Sequence, residues 1–142
     1  MRFLCERHRH WLSQNPGELL PGWLRTLIEG RAAAAERNFE KAILYFGNAL
    51  DMADIMMSHA ATLDAQQRYI DTATELMQAL TLGRDSAVCE RLFGAVLSRL
   101  EREKARNFLP ESLRALRDMA LGQAPVVTTA VPRAADVSPY LH

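Results

Sequence analysis

Residues 30–50 read GRAAAAERNFEKAILYFGNAL. Phe39, Ala42, Ile43, Phe46, Ala49, Leu50 and Ala53 recur at spacings of three and four, which places them on one face of a helix. Tyr45, Met52 and Met56 form a second stripe on another side. A surface helix needs only one apolar face, so two stripes imply a helix held between neighbours. The small residues have a geometric reading. Helix axes lie about 8–10 Å apart according to the side chains between them, and Gly or Ala sets the near end of that range. Gly30, Ala42 and Ala49 are therefore expected contact points between helices, with Phe39 and Phe46 as wedges filling the space beside them.

Working outward, helical periodicity runs along most of the 142 residues, and convincing strand alternation is absent before the C-terminal stretch. A first helix is expected from about Arg2 to Ser13, closed by the turn Asn15-Pro16-Gly17. A second starts near Pro21, a residue suited to a first helical turn, and ends around Glu36. The third covers about Phe39 to Met57. The fourth spans Thr62 to Leu82, with Leu63, Ile70, Ala73, Met77 and Leu80 inward and Gly83 as a left-handed stop. Asp85 or Ser86 caps a fifth that continues to about Asn107. Pro110 opens a short sixth ending near Leu121. These make a helical domain over 1–122. From Gln123 the character changes: Pro125, Pro132 and Pro139 accompany only two charges, Arg133 and Asp136, so 123–142 is expected to be a disordered tail.

The stretch from about Trp23 to Ala53 resembles the tetratricopeptide repeat, a helix-turn-helix unit of about 34 residues. Gly30 sits at the family's helix-one glycine, Phe39 at the aromatic opening the second helix, and Ala42, Phe46 and Ala49 at that helix's Ala, aromatic and Ala. The resemblance implies an all-α fold of five to six helices, in antiparallel pairs stacked as a short right-handed superhelix. One such unit cannot bury both its faces, so the remaining helices would act as degenerate or capping units. It also implies a binding wall built from first helices, here Leu24, Leu27, Arg31 and Ala34. Leucines stand where carboxylate-clamping members carry polar groups, so this wall suits an amphipathic helix or extended segment of a protein partner. The competing reading covers those leucines with the protein's own first helix or tail.

Composition narrows the function. Seventeen basic and 17 acidic residues give zero net charge, which lends no support to a nucleic-acid or membrane-surface role. Charge is nevertheless segregated. Residues 1–37 hold six Arg against four Glu, residues 38–80 two basic against six acidic, and residues 81–121 eight basic against six acidic. Two cysteines are too few for a disulfide framework. No apolar run approaches the roughly 18 residues of a membrane span, and the opening MRFLCERHRHWL interrupts its apolar residues with charge, unlike a signal peptide. A cytoplasmic protein is the expectation.

The opening segment also carries Cys5 and His8 at spacing three, the start of a metal or redox switch. Zinc wants about four ligands, and only Cys89, His59 and His142 remain to complete a set. The alternative is an amphipathic first helix with Phe3, Leu4, His8, Trp11 and Leu12 inward and Arg2, Arg7 and Arg9 outward, where they would meet solvent or an acidic partner. No glycine-rich phosphate loop, serine elbow or His-Glu-x-x-His motif is present. The reading is a non-enzymatic protein-binding adaptor or chaperone-like module without cofactor or metal, similar in size to bacterial secretion or motility chaperones by fold analogy. The alternative is a homodimeric regulatory or structural subunit joined through the Met52, Met56 and Met57 edge.

Overall fold

The computed structural model describes residues 2–83 and 85–102, and these are all-helical. The order is α1 (Glu6–Gln14), a single 3-10 turn (Pro16–Glu18), α2 (Leu19–Ala35), α3 (Phe39–His59), α4 (Leu63–Leu82) and α5 (Ser86–Arg102). The expected sixth helix from Pro110, the end of the fifth near Asn107 and the tail at 123–142 lie outside the described residues.

Capping sets the boundaries. The Asn38 side chain accepts a hydrogen bond from Lys41 N, and Thr62 accepts one from Ala65 N, so α3 and α4 each begin with an otherwise orphaned N–H satisfied. Asp85 does the same for Val88 N at 3.4 Å. Pro21 falls inside the first turn of α2 rather than at its start, where its missing N–H costs no helical bond. The first helix begins later than expected. Residues before Glu6 are not helical: Cys5 is extended, with φ −69° and ψ 156°, and Phe3 N and Leu4 N donate to Asp51 Oδ2 at 2.6 and 2.7 Å. The left-handed stop expected at Gly83 is not used: Gly83 has φ −79°. That conformation falls at Arg37, φ 60°, where Arg37 N and Asn38 N close α2 by bonding Ala34 O and Ala33 O, each at 2.9 Å.

Successive helices pair antiparallel. Along α2 and α3, Gly22 faces Met52 and Gly30 faces Phe46, so one numbering rises as the other falls. α4 returns its C-terminal end to the start of α3, with Gly83 against Phe39 and Ile43. Like-directed helices then lie side by side. α2 meets α4 through Trp23 Nε1 donating to Thr72 Oγ1 (2.9 Å) and through Arg31 on Glu75. α3 meets α1 and α5 through its aspartates.

The opening stretch packs as its small residues require. Ala42, Ala49 and Ala53 have no exposed surface and Phe46 is buried. A Cβ at Gly30 would lie 2.7 Å from the Phe46 ring. The core extends through Trp23, Leu27, Ile70, Leu76, Met77, Leu80, Leu92 and Val96. Two expectations are corrected. Leu63 is exposed rather than inward, and α4 has no single apolar face, since Thr72 through Leu80 are all buried. The cause is position: α4 is packed against α2, α3 and α5 at once.

Gly30→Ala sets a helix-propensity gain of about 1 kcal/mol against overpacking of about 1–3 kcal/mol, because the new Cβ would overlap the buried Phe46 ring. A net loss of about 1 kcal/mol is expected. Gly94→Ala, at a helical position with nothing within 4 Å of its Cβ, should instead stabilise by about 0.5–1 kcal/mol. Urea denaturation of the two variants beside the parent checks both signs.

Candidate functional site

On α3, Gly47, Asp51, Asp54 and Ser58 follow one another at spacings of four, three and four, a polar strip on a helix that is otherwise largely apolar. α1 and the residues preceding it lie along this strip. At Gly47 the absence of a Cβ makes a slot that the Phe3 ring occupies, and any larger residue would overlap that ring. One turn on, Asp51 holds the backbone of Phe3 and Leu4. A further turn on, Asp54 binds Arg9 of α1 through Oδ2 and Arg99 of α5 through Oδ1. Arg99 Nη2 also donates to Ser58 Oγ at 2.8 Å. The acidic middle of the chain and its basic flanks thus meet on one face of α3.

Arg9, Asp51, Asp54, Ser58 and Arg99 line a cleft of about 450 Å³, which Arg2 and Arg102 also border, with Leu50 of α3, Tyr69 of α4 and Ala95 of α5 in its wall. Its electrostatics follow from burial. The Asp51 carboxyl is pushed above its ordinary range, chiefly by burial; the N–H groups of Leu4 and Phe3 and the charge of Arg9 oppose the rise, and Asp54 adds to it. Burial likewise raises the Tyr69 phenol, reinforced by Asp54 and opposed by Arg99 and Arg102. Arg9 Nη1 is buried with no hydrogen-bond acceptor; Asp51 Oδ1 lies 3.9 Å away.

The residues expected to form a binding wall lie elsewhere, on α2. Leu27 is 2 % exposed and belongs to the core. Arg31 makes a two-pronged ion pair with Glu75 of α4, Nε to Oε1 at 2.6 Å and Nη2 to Oε2 at 3.0 Å. Leu24 and Ala34 are half-buried against the core. Leu27 and Arg31 are thereby committed to α4 and the interior, and the four do not make an open wall. Leu4, just before α1, and Leu12 on it are buried as expected, but His8 and Trp11 are exposed and Arg9 points inward, the reverse of the expected faces. Arg7 remains exposed, and Arg2 pairs with Glu6. Met52 and Met57 are buried, so the methionine edge offered for a homodimer is mostly interior. Cys5 is exposed, Cys89 is buried with its thiol pushed up by that burial, and among the described residues no group of three or more His, Cys, Asp or Glu is placed to hold a metal. No helix among them is long and apolar enough to cross a membrane.

The polar strip was not found from the sequence, although the charge segregation that produces it was visible. The missing signal is the i, i+3 pair Asp51 and Asp54 inside an apolar helix, which demands partners of opposite charge. Comparison with protein-family models, with curated proteins and with solved structures finds no match.

Two substitutions report on this site. Asp54→Ala leaves the largely buried Arg9 and Arg99 without their shared carboxylate and should cost about 3–5 kcal/mol. Asp51 has the opposite pH signature from a paired surface acid. Its folded carboxyl keeps a proton to higher pH than the unfolded chain, whose value is near 3.8, so its contribution to stability falls as pH rises from there through the raised folded value. Asp51→Asn should remove that part of the slope, read as urea midpoints of parent and variant between about pH 4 and pH 7.

Proposed function

We propose that this chain is a non-enzymatic protein-binding adaptor or chaperone-like module, a small tetratricopeptide-like stack that holds a segment of a partner protein. The observation that supports this most directly is the cleft beside the polar strip of α3. At about 450 Å³ it falls within the range of about 300–1,000 Å³ typical of binding pockets. That is room for several side chains of an extended or helical segment. The partner surface is accordingly moved from the α2 wall to the α1–α3–α5 side.

The lining supports binding over catalysis. Asp54 is occupied by two guanidinium groups and Asp51 by two backbone N–H groups, which leaves neither placed as a free base. Ser58 accepts from Arg99 and donates to Asp54 O, with no histidine among the lining residues. The spacing of Phe39, Ala42, Phe46 and Ala49 remains the basis of the repeat reading.

A photo-crosslinking residue placed at Ala95, inside the cleft, is expected to capture one dominant protein from cells. The same residue at Glu29, exposed on α2, should not capture it. Capture from Glu29 alone would return the binding surface to α2, and capture from neither would end the adaptor reading.

A further inference from the structure

The cleft's charge is unbalanced. A chain with 17 basic and 17 acidic residues brings Arg2, Arg9, Arg99 and Arg102 together against Asp51 and Asp54 alone among the lining residues. The two aspartates are spent on Arg9, Arg99 and the Phe3–Leu4 backbone. Even this inner part is short of acceptors, since Arg9 Nη1 is buried without one. Nearer solvent, and among the described residues, Arg2 pairs with Glu6, whose side chain is 80 % exposed, a pair of the kind that solvent and salt weaken. Arg102 is exposed and close enough to Tyr69 for its charge to act on the phenol. Two guanidinium groups from separate elements therefore border an already neutralised interior. A guanidinium presents five N–H donors in a planar fork that matches the two oxygens of a carboxylate or phosphate.

We propose that the cleft is an oxyanion site, and that its occupant is an acidic segment of the partner protein whose carboxylates bind Arg102 and Arg2. This rests on the cleft being the partner-binding surface. Carboxylates are favoured over an isolated phosphate because the space exceeds what one small anion fills, and because the two outer guanidinium groups come from separate elements, as successive carboxylates of a chain would meet them. The acidic group arrives with its own charge compensated in the cleft, and neither Asp51 nor Asp54 needs to give up its partners.

Isothermal titration of the full chain at about 0.15 M ionic strength tests this with three probes: acetylated tetraglutamate amide, the matching tetraglutamine, and inorganic phosphate. Tetraglutamate is expected to bind, tetraglutamine not to bind, and phosphate to bind more weakly than tetraglutamate. Arg102→Ala and Arg2→Ala, both at exposed positions outside the core, should each weaken tetraglutamate about tenfold, the loss of one charge-assisted contact. Arg25→Ala, exposed on α2, should leave it unchanged. Phosphate binding as tightly as the peptide would overturn the acidic segment as occupant. Equal weakening by Arg25→Ala, or no binding of either anion up to about 10 mM, would overturn the site itself. Capture from Ala95 reads partner binding whatever its charge, so the two ideas fail separately.

Discussion

The distance between α2 and α3 is the constraint on which the other contacts rest. It is set where Gly30, which has only a hydrogen to offer, meets the ring of Phe46, with Ala42 and Ala49 fully enclosed along the same helix. Two helices this close leave no room for a second row of large side chains between them, so the bulk that α3 carries must face elsewhere. Met57 and Ile55 enter the core. On α2 the same closeness presents Trp23 and Arg31 to α4, where Thr72 and Glu75 receive them.

Charge then decides how the outer helices attach. The middle of the chain supplies carboxylates and the flanks supply arginines, and folding brings both flanks to one strip of α3. Buried ion pairs roughly break even against their desolvation, so these pairs do more for orientation than for net stability. Asp51 shows this most clearly. By accepting the N–H groups of two consecutive residues it fixes the register of the segment entering α1, and Gly47 makes the slot that lets the Phe3 ring lie flat beside it.

How much of this was legible in the sequence depends on the kind of signal. Periodicity located the helices, because apolar spacing is local and repeats many times along each one. The small-residue contacts at Gly30, Ala42 and Ala49 were legible because size at a contact leaves a direct trace in residue identity. Helix ends were less so. Residues 2–5 have helical periodicity but run outside the helix, held at Phe3 and Leu4 by Asp51 nearly 50 positions away, and the left-handed residue is Arg37, which no propensity favours. The site was not legible. Arg9 was read as outward and Leu27 as accessible, since which side of an amphipathic helix faces a neighbour depends on where that neighbour lies. Reading Asp51 and Asp54 as a buried pair needs the knowledge that α1 and α5 flank the same face.

The long-range links share a common length. Arg9–Asp54, Arg99–Asp54, Arg31–Glu75 and Trp23–Thr72 join residues 45, 45, 44 and 49 positions apart. Each link skips one helix, so none can close until that helix has folded back between its neighbours. Asp54 belongs to two of these links and is claimed from both directions along the chain. Detaching α1 or α5 leaves the arginine of the other with a carboxylate opened to water on one side. A disturbance of α1 is therefore felt at α5 through a single side chain, which couples two helices that nearest-neighbour stacking alone does not.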